Sequence, residues 1–193
     1  MKVLGIAGSP RRGGNTDTLL ARFMEGVASA GAETKTLTVC DLKIAGCFHC
    51  DACYAKGQCK VKDDMQTVYR EMEAADRIVM ASPLQFMSVS AQLKALIDRC
   101  QALWVRKYIL KIPPLGDKRP RQGFFISVGG RRTVPNLFDA ELVTIKNLYH
   151  MIDIAYAGDI LLPGIDARGD ILKHPEALER AYQEGRKFGG VAL

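Results

Sequence analysis

Between Cys47 and Cys59 the chain carries four cysteines in the pattern C-x2-C-x2-C-x5-C: Cys47, Cys50, Cys53 and Cys59. Four thiolates are the ligand set of a 4Fe-4S cube, and the first three stand at the tight spacing with which ferredoxin loops wrap a cluster. Gly57 frees the backbone to turn back before the fourth. Zinc is the main competitor, although structural zinc usually draws on two ligand pairs across a longer spacer. Disulfides and an empty thiol loop stay open as further readings. His49, between two of the cysteines, either tunes a bound metal by a hydrogen bond or faces solvent, and solvent is the simpler reading. Cys40 follows an apolar run and Cys100 shares a helical apolar stripe, so both read as packing thiols.

Three further segments carry binding chemistry. Gly8-Ser9-Pro10-Arg11-Arg12-Gly13-Gly14-Asn15-Thr16 runs straight into an apolar stripe of helical pitch. Its glycines let backbone N–H groups converge, and a helix N-terminus favours negative charge. Ser9, Asn15 and Thr16 supply donors, and Arg11 or Arg12 offsets a dianion, so the segment suits a phosphate. It lacks the lysine of a nucleoside-triphosphate loop and does not fit G-x-G-x-x-G, which argues against ATP hydrolysis and the usual dinucleotide binding. The bland alternative is a capped, glycine-rich connection. Pro83, Leu84, Gln85, Phe86, Met87 and Ser88 make an apolar shelf with one amide, suited to a flat conjugated ring or to plain packing. Val128, Gly129 and Gly130 allow the backbone to approach the same ring, or form a flexible turn.

These segments need a scaffold. The 193 residues are 48% hydrophobic and 25% charged, the balance of one globular domain over 1–193, with the cysteine loop at 46–62. The first apolar stretch is too short for a signal peptide and nothing later approaches a membrane span, so the expectation is a cytoplasmic protein whose thiols stay reduced. Much of the net charge of +6 falls between Arg106 and Arg121. That segment reads as an exposed basic loop, either docking an anionic partner or merely solvated. No aromatic platform accompanies it, so nucleic acid is not an expected partner.

Strand-like and helix-like periods alternate along the chain. Strands are expected at 2–8, 33–39, 77–81, 123–128 and 152–157. Helical stripes run through Leu19, Leu20, Phe23, Met24 and Val27, and through Met65, Val68, Tyr69 and Met72 behind a cap at Asp63 or Asp64. A third joins Leu93, Leu96, Ile97, Cys100 and Leu103, a fourth joins Phe138, Glu141, Leu142, Ile145 and Tyr149, and Pro175 opens a fifth helix. Such alternation implies an α/β, flavodoxin-like, doubly wound sheet of five parallel strands in the order 2-1-3-4-5, with the cysteine loop after strand two. Ligands of such sheets bind at the carboxyl edge, where the loops after strands one, three and four converge.

With GSPRRGGNT after strand one, SPLQFMSVSAQLKALIDR after strand three, and the cysteine run followed by Asp63-Asp64-Met65, the chain resembles the iron-sulfur flavoprotein family over most of residues 1–105. That family is related to NADPH-dependent FMN reductases. The resemblance implies a flavodoxin-like fold, FMN, and a 4Fe-4S cluster on Cys47, Cys50, Cys53 and Cys59 that oxygen can strip during isolation. It further implies that Ser9, Arg11, Asn15 and Thr16 surround the FMN phosphate and that Pro83 to Ser88 flank the isoalloxazine. Homodimers or homotetramers are implied, with a flavin facing a neighbouring chain's cluster.

FMN accepts one or two electrons and a 4Fe-4S cluster passes one, so the leading expectation is an electron-transfer flavoprotein. It would take electrons from a ferredoxin-like donor or NAD(P)H and deliver them to a small-molecule acceptor. No side chain is expected to act as a catalytic nucleophile. A cluster-free NAD(P)H-dependent FMN or quinone reductase and a zinc-stabilised binding module are the alternatives.

Overall fold

The computed structural model describes residues 1–132 and 134–190. Along the chain these form β1 (Lys2–Ala7), α1 (Asn15–Ser29), β2 (Glu33–Thr38), α2 (Met65–Ala74), β3 (Arg77–Pro83), α3 (Ala91–Arg99) and α4 (Gln101–Tyr108). After these come β4 (Arg121–Gly129), α5 (Asp139–Met151), β5 (Ile154–Pro163) and α6 (Pro175–Gly189). The strands pair in parallel in the order β2-β1-β3-β4-β5, the arrangement expected from the alternation of periods.

Each central strand sends alternate side chains to opposite layers, the two-residue period that a sheet covered on both faces requires. Leu4, Ile6, Ile78, Met80 and Phe125 pack against α2, α3, α4 and α5. Val3, Ala7, Val79, Ala81, Phe124, Ile126 and Val128 pack against α1 and α6. Tyr149 of α5 is fully buried, and its hydroxyl donates to the Phe124 carbonyl at 2.9 Å, which gives its polar tip a partner inside the core.

Three local features differ from the sequence expectation. The stripe through Cys100 is not one helix: Cys100 ends α3 and begins α4, its N–H bonding to the Ile97 carbonyl at 2.9 Å in a tightened turn that keeps Leu96 and Leu103 in the same core.

The fifth strand continues to Pro163, well past 157. A register shift passes β4 from Gly123 opposite Tyr156 to Phe124 opposite Gly158, so Ala157 is an extra residue, and Gly158 takes φ 148° there. A bulge with a glycine breaks the alternation that marks a strand, which is why the periodicity ended too early.

The segment from Arg106 to Arg121 is an exposed basic loop only in its middle, where Lys111 and Lys118 stand exposed, and its ends are built into the fold. Arg106 and Lys107 belong to α4, and Arg121 is 3% exposed in β4. Arg106 donates to the Gly57 carbonyl at 2.8 Å and to Glu73 at 2.6 Å, while Arg121 donates to the Ala75 and Glu73 carbonyls and to Asp117. Their charge fastens the connection to α2 and to the cysteine loop.

Candidate functional site

The loops after β1, β3 and β4 meet at the carboxyl edge. Gly8 makes the first contact: its N–H donates to the Ala81 carbonyl at 2.7 Å, and a Cβ there would lie 2.8 Å from that oxygen and from Leu93 Cβ. Ser90 joins the same knot, donating its hydroxyl to the Gly8 carbonyl, accepting Leu93 N–H at 3.2 Å as the cap of α3, and donating its own N–H to Ser82 Oγ at 2.9 Å. All three groups are buried, so the β1 and β3 loops are tied together from within.

One cavity opens between these loops. It is lined by Ser9, Pro10, Arg11, Gly14, Asn15, Thr16, Pro83, Leu84, Gln85, Val128, Gly130, Ile165 and Asp166. Gly14 caps α1 with no side-chain partner, so the first N–H groups of α1 have only this cavity to satisfy them. Ser9 spends its hydroxyl locally, donating to the Arg11 carbonyl at 3.0 Å and accepting Arg11 N–H at 3.1 Å. Asn15 works as a clamp: its amide donates to the Ala167 carbonyl at 2.9 Å and accepts Ile171 N–H at 3.2 Å, drawing the loop after β5 onto the site. Pro10, Ile165 and Asp166 were not anticipated. The last two depend on the true length of β5, whose loop is pinned where Ile165 N–H donates to the Gly129 carbonyl at 3.0 Å.

Five expected residues stand outside this lining. Arg12 pairs with Asp41, in the segment that leads from β2 to the cysteines, and so links the first loop to the thiol loop. Gly129 packs beneath Leu84, Leu137 and Phe138. Phe86, Met87 and Ser88 lie on a two-residue hairpin closed by Gln85 N–H to the Ser88 carbonyl at 2.8 Å and Ser88 N–H to the Gln85 carbonyl at 2.9 Å. Both tip residues have positive φ, 48° and 63°, where Asn-Gly is the preferred pair, and the Phe86 side chain is fully exposed. Replacing Phe86-Met87 by Asn-Gly relieves this strain, and thermal unfolding is expected to show a gain of roughly 1 kcal/mol or more. The same change is expected to cost turnover if the aromatic tip covers the bound ring.

The thiol loop leaves β2 at the same edge. His49 and Asp51 take φ 53° and 56°, a short 3-10 turn spans Ala52–Ala55, and Gly57 N–H closes onto the Cys53 carbonyl at 2.7 Å. Gly57 has φ 64° and sits so near Arg106 Cγ that a Cβ would lie 2.5 Å from it, which explains the glycine. Cys47, Cys50, Cys53 and Cys59 line one small cavity with His49, Asp51, Lys60, Arg99, Gln101 and Ala102. Burial raises the Cys53 thiol above its ordinary range, and the charges of Cys59, Cys47 and Cys50 add to this. Among the described residues no three His, Cys, Asp or Glu side chains converge on a single metal-ion position. A cube gives each iron its own thiolate, so four thiols spread around one cavity suit a multi-iron centre, whose positive charge would relieve their mutual repulsion. His49 is exposed and Cys100 is buried, as expected, whereas Cys40 is half-exposed beside Asp41.

Arg99 fastens the loop from below and was not singled out from the sequence. It is 1% exposed. Its Nη1 donates to the Ala45 carbonyl at 2.8 Å and to Asp63 Oδ2 at 2.7 Å, and its Nη2 to Asp63 Oδ1 at 3.1 Å and the Val61 carbonyl at 3.3 Å. Asp63 also accepts the N–H groups of Ala45 and Met65. Burial alone would raise the Asp63 carboxyl, yet the bonds from Arg99 and these amides outweigh it and hold it below the usual carboxylate value.

A cavity walled by the β1, β3 and β4 loops at the carboxyl edge of a 2-1-3-4-5 sheet, in a chain whose loop after β2 gathers four thiols, defines a flavodoxin-like protein. Residues 1–156 match the family model for NADPH-dependent FMN reductase. An iron-sulfur flavoprotein from Methanosarcina thermophila is 37% identical over 82% of this chain and 78% of its own length. Another, from Methanocaldococcus jannaschii, is 41% identical over 53% of each chain, so the match spans about half the length of that relative. Among solved structures, an NAD(P)H:quinone oxidoreductase from Methanothermobacter marburgensis superposes with a TM-score of 0.77 at 17% identity, covering 100% of this chain and 98% of the other, a likeness of fold. The chain belongs to the iron-sulfur flavoproteins within the NADPH-dependent FMN reductase family. No helix among the described residues is long and apolar enough to cross a membrane.

Proposed function

We propose that this chain is an FMN-dependent oxidoreductase that transfers electrons through a 4Fe-4S cluster held by Cys47, Cys50, Cys53 and Cys59. The observation that carries this reading is that all four thiols line one cavity, in a chain whose β1, β3 and β4 loops wall a separate cavity at the carboxyl edge. When bound, FMN exchanges electrons singly or in pairs while the cluster passes one at a time, so the two together couple one-electron carriers to two-electron acceptors.

The chain's own part is placement. The uncapped first turn of α1 and Arg11 hold the phosphate, with Ser9, Gly14, Asn15 and Thr16 shaping the cradle around it. Pro83, Leu84, Gln85, Val128 and Gly130 flank the ring and exclude water from it. A ferredoxin-like protein is the proposed donor, with NAD(P)H as the donor that the family description supports, and a small molecule is the acceptor. The chain is proposed to work in the cytoplasm as a homodimer or homotetramer. Support for assembly comes from the exposed side chains of Phe48, Tyr54, Phe86 and Met87, which sit on the thiol loop and at the hairpin tip, where a second copy would cover them.

Anaerobic purification followed by iron, sulfide, zinc and flavin analysis tests the reading. About four irons, four sulfides and one FMN per chain are expected, and Cys53→Ala is expected to lose the iron while keeping the flavin. FMN with neither iron nor zinc would favour the cluster-free reductase, and zinc without flavin would favour the binding module.

A further inference from the structure

We infer that Arg99 is a positioning residue for the metal centre, its Nε–H held in reserve to bond a sulfur of the loaded thiol loop. The inference rests on the proposed cluster and concerns how this chain supports it.

A guanidinium has five N–H donors. Four of them are matched by oxygens: the Ala45 and Val61 carbonyls, which flank the thiol loop on either side, and the two oxygens of Asp63. The fifth, on Nε, is buried and has no partner. Leaving a donor of a charged group unbonded in the interior is costly, so a built site of this kind calls for an acceptor. Arg99 lines the thiol cavity with all four cysteines, so their sulfurs are the acceptors that this cavity holds. A thiolate, or a sulfide of the cluster, is the acceptor this cavity would bring.

The arrangement has two consequences. Because its other donors hold both ends of the loop and Asp63, the guanidinium keeps the loop folded before any metal arrives. Once a cluster is present, a cation donating an N–H to sulfur favours the more negatively charged, reduced state and so raises the cluster's potential.

The test uses the full chain, purified anaerobically and labelled with heavy-nitrogen arginine. Pulsed EPR of the reduced sample is expected to show one arginine nitrogen coupled to the cluster spin, and this coupling is expected to vanish in Arg99→Lys. Lysine retains the charge and can still pair with Asp63, but one ammonium cannot serve four oxygens and a sulfur. Redox titration of Arg99→Lys is therefore expected to show the one-electron equilibrium moved toward the oxidised form by about tenfold, ~59 mV. Unchanged FMN content would show that the variant is folded, and a purely structural arginine would leave the potential where it was. A loaded cluster without the coupling, or with an unshifted potential in the variant, overturns the inference and leaves the cluster assignment standing. No iron in the wild-type protein overturns both. Should the variant not fold, the labelled wild-type spectrum decides alone.

Discussion

At about pH 9 Glu141→Gln is expected to be more stable than the wild-type chain, by an amount on the order of a few kcal/mol. Glu141 lies in the first turn of α5 and has no exposed surface. One carboxyl oxygen accepts the Ser127 hydroxyl at 2.7 Å, and the other is buried without a partner. Burial raises its pKa from 4.5 to about 8, and the bond from Ser127 lowers it only in part. The folded state therefore holds this proton more tightly than the unfolded chain does. Its stabilising effect is fully present below about 4.5 and is lost as the pH rises through about 8, where the buried group must ionise. Glutamine has nearly the same shape and no charge to desolvate, so the variant's stability is expected to stay flat over that window. Denaturant unfolding at several pH values checks this, and parallel wild-type and variant curves would exclude a buried neutral carboxyl. Ser127 directly precedes Val128 on the cavity wall, so the same titration is expected to loosen flavin at high pH.

Gly185→Leu is expected to lose roughly 3 kcal/mol or more, with a fall in melting temperature of roughly 10 °C. Helices α1 and α6 cross backbone against backbone. A Cβ at Gly185 would lie 2.0 Å from the Phe23 carbonyl oxygen, and one at Gly26 would lie 2.1 Å from that of Tyr182. Neither neighbour is a flexible side-chain end, so the helices must separate. Because α1 begins at the proposed phosphate cradle, the variant is expected to lose flavin as it loses stability. Gly46 has open space around it, and Gly46→Ala is the neutral control.

The strand order, the glycine-rich loop that lines the carboxyl-edge cavity and the thiol loop were legible in the chain because each is written in local spacing: alternation, glycine clusters, cysteine pitch. What escaped depends on partners far away in sequence. Asn15 looked like a phosphate donor, yet its amide is committed to Ala167 and Ile171. The basic segment looked free because Glu73 and the carbonyls that hold Arg106 and Arg121 lie in other elements. Arg99 falls at the end of a run quoted for its family likeness, but nothing local shows that Ala45, Val61 and Asp63 would converge on it. The reach of β5 was hidden by its bulge, and with it the contribution of Ile165 and Asp166 to the cavity.

The central claim is that electrons reach the flavin through the thiol loop. Anaerobic rapid mixing of a reduced ferredoxin-type carrier with wild-type and Cys53→Ala proteins, both flavin-loaded, tests it by following flavin bleaching. Emptying the loop is expected to slow reduction by roughly a hundredfold or more while direct reduction by dithionite stays comparable. Equal rates from the carrier in the two proteins would contradict it.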